Sequence, residues 1–366
     1  MASPKGPLKR KHRLAVAVGS TVLALIVIEG LLHLFPPPIS DRLFQTDARF
    51  GRFHIPGRQG YQRSPEFVVS VKINSQGLRD TEHTVEKPTG VYRVLILGDS
   101  FAEGMQVPLE DTVGKQLEQL LNARGGPPYE VVNAGVAGFG TDTELLFYRS
   151  LGRLYHPDLV LLFFFRNDLA DNGDFRYFKL EDGVLKTVET RSAGQDSRPM
   201  AAIRGWLWDH FMLIRLLGNA WNEAQGVASA AGSSQSPEID PAFRVPMSGE
   251  VEGQWSLTTA LLEEIDREVR ADDAHLVLVG IPDVHSVESQ RPQPGFDMGQ
   301  VNRHLGEVAA SAGIAYIDLL PGFSSQYEST RAALYWPVDE HWNSAGHQLA
   351  AQIVFDSLVR NGWLLP

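Results

Sequence analysis

A serine placed directly after a short apolar run is the first residue whose setting favours chemistry. The run is Arg93–Leu97, and Gly98, Asp99 and Ser100 come immediately after it. A glycine permits the tight turn that presents Ser100 to solvent, where its hydroxyl could act as a nucleophile. Asp and Ser are also common at turns and helix N-caps, so these residues alone leave catalysis and simple capping as alternatives.

Two further segments could donate hydrogen bonds to a developing oxyanion. Asn133–Thr141 contains glycines at 135, 138 and 140, which let a backbone N–H come close to negative charge. Phe165–Asp168 contains Asn167, whose side-chain amide could be a second donor. Each segment is also typical of an ordinary loop: a capped strand-to-helix connection in the first case and an Asn-Asp turn in the second.

A histidine near the carboxyl end has an acidic neighbour at a useful spacing. His341 could remove the proton of a serine hydroxyl, and Asp339 could fix its tautomer and stabilise the imidazolium. Metal binding by His285, His341 and His347 is an alternative. Their spacing fits no compact metal-ligand pattern, so we predict neither a metal nor another cofactor.

Strand and helix patterns alternate between these segments. Short apolar runs predict five strands: Arg93–Leu97, Tyr129–Asn133, Asp158–Phe165, His275–Ile281 and Ile314–Leu319. Helices are predicted at about 110–124 and 141–154, and a terminal helix begins near Ala345 with Ser344 as N-cap. The alternation predicts the α/β class, with a parallel sheet of about five strands covered on both faces. Ligands bind such sheets beyond the carboxyl ends of the strands, where the serine, glycine and asparagine segments fall.

The order of these segments resembles the SGNH/GDSL hydrolase superfamily over about residues 91–168 and 272–361. The resemblance implies a flavodoxin-like three-layer α/β/α sandwich. It also implies a serine esterase that acts through a Ser-His-Asp acyl-enzyme mechanism on an ester-bearing small molecule or carbohydrate. The site residues expected are Ser100, Asp339 and His341 for catalysis, and the Ser100 N–H, Gly138 N–H and Asn167 side chain for the oxyanion hole.

The chain departs from the family pattern in two places. Residues 165–166 are Phe-Arg where the family commonly has Gly-x before Asn167, which we expect to reshape the oxyanion wall or add positive charge. Asp339 stands two positions before His341 rather than three, and Val338 occupies the usual position. The Asp-x-His-Trp-Asn form is similar to that of membrane-associated SGNH proteins that resemble alginate O-acetyltransferases, which implies O-acyl or O-acetyl groups as substrate.

Several alternatives stay open at this stage. An O-acyltransferase would move an acyl group onto an extracellular polysaccharide, and we expect it to have an acceptor groove lined by Trp336 and Trp342. A non-catalytic binding protein of an envelope assembly would keep the segments without turnover. Glu340 is an alternative to Asp339 as the partner of His341, although its side chain should point to another face.

The amino-terminal segment predicts a membrane anchor. Leu14–Phe35 is a predominantly apolar run of about 22 residues, which at about 1.5 Å per residue spans roughly 33 Å. Glu29 interrupts the run, and we expect it to be tolerated near the interface. The run ends in three prolines without a small-x-small site, which favours an uncleaved anchor over a signal peptide. The preceding basic residues are Lys5, Lys9, Arg10, Lys11 and Arg13, so the amino terminus should be cytoplasmic and the catalytic domain extracytoplasmic.

Composition limits the classes of molecule that the chain could bind, and the sequence patterns divide it into domains. Removing those five positive charges from the net charge of −11 leaves −16, which excludes a nucleic-acid-binding surface of clustered Lys and Arg. No cysteine is present, so disulfides and thiolate sites are excluded. We predict a tail and anchor over residues 1–38, a lead-in over 39–90, and a hydrolase domain over 91–366 with an insertion at about 171–246. Protein partners and oligomeric state are not indicated.

The lead-in and the insertion have local patterns of their own. Glu66–Ile73 predicts a strand, and Ile73–Asp80 resembles the segment before the serine block in anchored SGNH proteins, where it would pack on the sheet edge. In the insertion, a hairpin is predicted near Phe178–Thr187 and an apolar helix near Ile203–Ala220. The Ser/Ala/Gly-rich piece Ala228–Ser236 should be mobile. The pattern leaves open whether the apolar helix lies on a membrane or forms a lid.

Overall fold

Two units make up the chain. The structure is a computed structural model that describes residues 10–174, 177–188, 199–221, 239–288 and 294–364. The smaller unit combines Met1–Arg42 with Ser197–Ser234, and the larger combines Leu43–Asp196 with Gln235–Pro366. The predicted mobile piece Ala228–Ser236 lies outside the described residues.

The elements are numbered along the chain. The strands are β1 (Phe44–Asp47), β2 (Gly51–His54), β3 (Gln59–Arg63), β4 (Val68–Lys72), β5 (Tyr92–Gly98), β6 (Tyr129–Asn133), β7 (Leu159–Phe164), β8 (Phe178–Glu181), β9 (Val184–Thr187), β10 (His275–Gly280) and β11 (Ala315–Asp318). The helices are α1 (Arg10–Leu34), α2 (Ser100–Glu103), α3 (Val113–Arg124), α4 (Thr141–Ser150), α5 (Asp168–Asp174), α6 (Pro199–His210), α7 (212–221), α8 (Gly249–Ala271), α9 (Val284–Glu288), α10 (Gln300–Ala312), α11 (Leu320–Thr330) and α12 (Ser344–Arg360). Short 3-10 helices cover Leu109–Asp111, Gly152–Tyr155 and Pro241–Phe243.

A five-stranded parallel sheet forms the centre of the larger unit. Its strand order is β11-β10-β7-β5-β6, and each neighbouring pair is parallel. Every residue of β5 and of β7 is buried, as expected for apolar strands covered on both faces. The predicted five strands and the α/β class are therefore confirmed.

Alternate side chains of the strands pack into two separate cores. Leu95 and Leu97 of β5 belong to one core with residues of α4, α8 and α10, while Val94 and Ile96 belong to the other with residues of α3, α11 and α12. Full burial of such aliphatic side chains contributes about 1.5–3 kcal/mol each. The result is the three-layer α/β/α arrangement that the sequence predicts.

The lead-in contacts the backbone at the carboxyl ends of β5 and β6. Antiparallel pairs β1–β2 and β3–β4 come first, followed by the buried residues Arg79 and Asp80. Arg79 donates to the carbonyl oxygens of Glu103 (2.8 Å) and Gly104 (2.6 Å), just after α2. Burial lowers the pKa of Arg79 to about 10, so its guanidinium remains charged at neutral pH. Asp80 accepts the N–H of Asn133 at 2.8 Å, which joins the lead-in to the edge strand β6.

Two local predictions need correction. The N-cap of α12 is Asn343 rather than Ser344, because Asn343 has an extended backbone and its side-chain oxygen accepts the N–H groups of Ala345 and Gly346. The hydroxyl of Ser344 donates instead to Asp111 at 2.8 Å. The single apolar helix predicted near Ile203–Ala220 is interrupted at residue 211 and forms α6 and α7. The hairpin predicted near Phe178–Thr187 is confirmed as β8–β9.

The smaller unit contains α1, α6 and α7. Within α1, His12–Leu34 is 23 residues long with a mean hydropathy of 2.3, and none of its most apolar window is buried. It is long and apolar enough to cross a membrane, although an amino-terminal signal sequence would meet the same criteria. Gly218 of α7 lies against Trp208 of α6, where a Cβ would come within 2.4 Å of the indole ring. This glycine therefore allows α6 and α7 to pack closely.

Candidate active site

The chain turns sharply where β5 ends, and Ser100 follows that turn. A Cβ on Gly98 would lie 2.7 Å from the Cβ of Ala102, so only glycine fits between the strand and α2. Asp99 caps α2 by accepting the N–H of Phe101 at 2.8 Å. Ser100 is the first residue of this helix and is half-buried. Capping and presentation of the serine thus occur together at this turn.

Ser100, His341 and Asp339 lie in line. The Oγ of Ser100 is 2.7 Å from Nε2 of His341. On the other side of the ring, Nδ1 is 2.9 Å from Oδ1 of Asp339 and 3.1 Å from the carbonyl oxygen of the same residue. The carboxylate and the backbone carbonyl of Asp339 therefore both lie within hydrogen-bonding distance of Nδ1. The structure therefore brings together the three predicted catalytic side chains.

The segment that carries Asp339 and His341 is held by a residue that the sequence did not identify. Glu66 accepts the N–H of Val338 at 3.0 Å and that of Asp339 at 2.7 Å. Nothing in the local sequence distinguishes Glu66 from other exposed acids, since its partners are more than 270 residues away along the chain. It acts as a positioning residue for Asp339.

Glu340 does not face His341. Its backbone is left-handed, with a φ of +63°. Its carboxylate lies 3.7 Å from Nε2 of His285, and both side chains are exposed. Of the two acidic neighbours of His341, Asp339 is therefore the one within contact distance of Nδ1.

The two predicted oxyanion donors differ in their surroundings. Gly138 is exposed in a tight turn that the N–H of Phe139 closes on the carbonyl of Val136 at 3.0 Å. Its φ of +82° explains why glycine is needed there. The Nδ2 group of Asn167 donates to Asp171 at 2.7 Å, which orients the amide. The role of both residues toward an oxyanion stays a prediction.

Arg166 does not bring an unbalanced positive charge to the site. Its Nε donates to Asp283 at 2.6 Å, and its guanidinium also pairs with Asp240. The same group lies over the ring of Phe165, 5.2 Å from the centroid. Two carboxylates thus neutralise the charge that the sequence suggested for substrate binding, and Arg166 ties the residues before Asn167 to neighbouring loops.

His347 lies in the core. It is buried, and its Nδ1 accepts the N–H of Val113 at 3.2 Å. Burial, together with the positive charges of Arg79 and His341, lowers the pKa of His347 to about 3, so it is neutral. No cluster of three or more His, Cys, Asp or Glu side chains suited to a metal ion occurs among the described residues.

Trp342 cannot line an acceptor groove, and that prediction is wrong. The side chain is fully buried and packs against Phe323 and Phe101, with ring centroids 5.4 and 5.1 Å away. Its backbone forms an antiparallel bridge with Tyr335. Trp336 is partly exposed and packs against Phe67, at 5.4 Å between centroids.

The electrostatics of the site favour protonation of His341. Burial opposes its charged form, but the hydrogen-bonding and negative charge of Asp339 outweigh burial, and the charge of Asp99 adds to them. The pKa of His341 is therefore raised above its ordinary value. Burial also raises the pKa of Asp99 to about 6, against the N–H of Phe101 and the charge of His341.

Two further carboxyl groups are buried beside Asp99. Glu144 and Asp168 are completely buried, and their carboxyl oxygens have no hydrogen-bond partner within the described part of the chain. Burial raises the pKa of each well above its usual range, and the proximity of Asp99 raises it further. The charge of Glu144 also raises the pKa of Asp168, because ionised carboxylates at close range repel each other.

We expect Glu144→Gln to stabilise the fold at pH 8 and to have less effect at pH 5. A carboxyl group whose pKa is raised in the folded state stabilises the fold while protonated, and this stability is lost as pH rises through that pKa. Glutamine keeps the shape of the neutral acid at every pH. The midpoint of thermal unfolding, followed by circular dichroism, should therefore exceed that of the wild type by a few degrees at pH 8.

The exposed Glu263 on α8 offers a matched control. Glu263→Gln should leave the unfolding midpoint unchanged at both pH values. A shift of equal size at pH 5 and pH 8 in Glu144→Gln would show that Glu144 is not held protonated by burial.

Comparison with known proteins assigns the chain to a family. The model of the GDSL-like Lipase/Acylhydrolase family matches residues 96–349. No curated protein matches the chain. Among solved structures, it is similar to a lipase/acylhydrolase from Enterococcus faecalis, at 15% identity over 75% of this chain and 98% of that one, with a TM-score of 0.42.

Two other solved structures are similar to the same extent. One is a catalytic mutant of an acetylxylan esterase from Geobacillus stearothermophilus, at 15% identity over 75% of this chain and 96% of that one, with a TM-score of 0.43. The other is an alpha/beta hydrolase from the metagenome of Lake Arreo, Spain, at 14% identity over 77% of this chain and 99% of that one, with a TM-score of 0.44.

Proposed function

Because the chain belongs to the GDSL-like lipase/acylhydrolase family, we propose that it is a serine esterase with Ser100 as its nucleophile. The family supports an enzyme that hydrolyses or transfers acyl groups of esters. The observation that carries the proposal for this chain is the 2.7 Å contact between Ser100 Oγ and His341 Nε2, with Asp339 2.9 Å from the opposite ring nitrogen.

The reaction proceeds through an acyl-enzyme. Ser100 Oγ attacks the ester carbonyl while Nε2 of His341 takes its proton, and the negative charge of Asp339 stabilises the imidazolium. The C–O bond to the leaving alcohol then breaks, and His341 returns the proton to that alcohol. In the second half, His341 deprotonates a water molecule, which attacks the acyl carbon. The bond from that carbon to Ser100 Oγ then breaks, His341 returns the proton to Oγ, and the acid leaves.

The tetrahedral oxyanion is held by three donors. They are the N–H of Ser100, the N–H of Gly138 and the side-chain amide of Asn167, which also donates to Asp171. One such donor contributes about 2.7–4 kcal/mol to transition-state stabilisation. Asp171 acts here as a positioning residue, since its contact sets the plane of the Asn167 amide.

The membrane is the proposed location. Helix α1 anchors the chain, its basic amino-terminal flank stays in the cytoplasm, and the hydrolase unit lies outside. The proposed substrate is an O-acyl or O-acetyl ester of a carbohydrate or small molecule, on the ground of the Asp-x-His-Trp-Asn segment. An esterase and an O-acyltransferase share the same acyl-enzyme and differ in whether water or a sugar hydroxyl attacks it.

The test is turnover of p-nitrophenyl acetate by the full chain in detergent, with and without an added oligosaccharide. We expect p-nitrophenol and free acetate in equal amounts, with no change when the oligosaccharide is present. Acetate recovered on the oligosaccharide in place of free acetate would replace the esterase by the transferase. Absence of turnover under both conditions would contradict both and leave a binding protein of the envelope.

A further inference from the structure

Helices α6 and α7 of the smaller unit have an apolar surface that no described residue covers. We propose that α6 and α7 form a lipid-binding hairpin that lies in the membrane interface beside the outer end of α1. The inference rests on the membrane anchoring by α1 proposed above. The hairpin would be a second surface in contact with the membrane, about 170 residues beyond the anchor in the chain. What covers its apolar side chains is the lipid bilayer.

The first observation is the partner of Glu29. This carboxylate lies within the apolar helix α1, where an unpaired charge would be costly. Its two oxygens accept the N–H of Met212 at 2.6 Å and of Leu213 at 3.0 Å. These residues begin α7, whose first N–H groups have no partner inside the helix and whose positive dipole end favours an anion. Glu29 therefore joins α7 directly to the anchor.

The position of Glu29 sets the depth of this junction. Glu29 precedes the last residue of α1, Leu34, by five positions, which corresponds to about 7.5 Å along a helix. Amphipathic helices bound to a membrane surface bury their apolar face by about 5–10 Å. If α1 spans the bilayer, the beginning of α7 lies at the depth that an interfacial helix occupies.

Helix α7 has the two faces that such a position requires. Arg215 and Asn219 are one turn apart on one face, and Leu217 and Trp221 are one turn apart on the other. Leu217 is 62% exposed and Trp221 is 66% exposed. On α6, Ile203 and Trp206 are likewise more than half exposed. Tryptophan is enriched at membrane interfaces, so this composition fits a lipid surface.

The polar face is held by the chain that leaves α1. Arg215 pairs with Asp41, and the amide of Asn219 both donates to and accepts from the backbone of Ser40 at 3.1 Å. Arg42 lies 3.5 Å from Asp209 of α6. These contacts fasten the hairpin to the three residues 40–42 and leave its apolar side chains on the opposite face.

The absence of cysteine from the chain makes single-cysteine labelling clean. Leu217→Cys and Trp221→Cys are each labelled with an NBD fluorophore in the full chain and reconstituted into phosphatidylcholine vesicles. We expect both labels to lose most of their fluorescence when brominated phosphatidylcholine replaces part of the lipid. Both positions are exposed, so the substitutions should leave the fold intact, which unchanged circular dichroism checks.

Two control positions distinguish failure of the hairpin proposal from failure of the anchor proposal. Leu23→Cys in α1 should be quenched, and Val184→Cys, 58% exposed in β9 of the larger unit, should not be. Quenching at Leu23→Cys without quenching at Leu217→Cys and Trp221→Cys would overturn the hairpin proposal while the anchor stands. Absence of quenching at all positions, Leu23→Cys included, would overturn the anchor and the hairpin together.

Discussion

Ser100→Ala lowers kcat/KM for p-nitrophenyl acetate by about 10⁵-fold or more, and His341→Ala lowers it to a similar extent. Each substitution removes one end of the 2.7 Å contact through which the nucleophile loses its proton. Because the two groups act as a unit, the double variant should be no slower than either single variant. Steady-state rates of the full chain in detergent measure this, and a fluorophosphonate probe should label the wild type but not Ser100→Ala.

Ser329→Ala is the control for this prediction. Ser329 is exposed on α11, where its hydroxyl donates to a backbone carbonyl one turn earlier. This variant should keep both the rate and the labelling of the wild type. Activity retained in Ser100→Ala, or labelling at a different serine, would overturn the assignment of the nucleophile.

Asp339→Asn is expected to lower kcat by about 10⁴-fold, whereas Glu340→Gln should leave it within about twofold of the wild type. The two carboxylates have different neighbours: that of Asp339 lies 2.9 Å from Nδ1 of His341, and that of Glu340 faces His285. Both changes remove one negative charge next to His341 in the sequence. Comparing the two variants therefore tests the position of the removed carboxylate rather than the net charge. A larger loss of kcat in Glu340→Gln would make Glu340, not Asp339, the acidic partner of His341.

The pH dependence of kcat/KM gives a second test of the effect of Asp339 on His341. His341 must be neutral to accept a proton, so kcat/KM rises with pH through its pKa. Asp339 raises that pKa, which places the acid limb of the wild type above the usual histidine value of about 6.5. Removing the charge in Asp339→Asn should move the limb of the residual activity to lower pH. An unmoved limb would show that Asp339 does not act on the ring.

The sequence alone determined the sheet and the place of the serine. β5 and β7 are continuous apolar runs, and such runs become buried parallel strands whatever their distant neighbours are. Glycine before Asp99 and Ser100 marks a turn at the strand end, and the local backbone chemistry of a turn is readable from a few residues. The long apolar helix near the amino terminus is readable for the same reason, since length and hydropathy are local properties.

Only the tertiary structure decided which side chains meet. Glu66 holds the backbone of Asp339, and Glu29 caps α7, across separations of more than 180 residues in each case. Trp342 is buried although its neighbours in sequence are polar or partly exposed. Contacts of this kind depend on how whole elements pack, so no local pattern specifies them.

The same distinction explains the charges around the site. The sequence suggests that Arg166 adds positive charge near the substrate and leaves Glu340 as an alternative to Asp339, because composition records the charge of each group but not its neighbours. Folding places Arg166 between two aspartates and the carboxylate of Glu340 beside His285. A charge acts through its distance from other charges, and those distances exist only once the chain has folded.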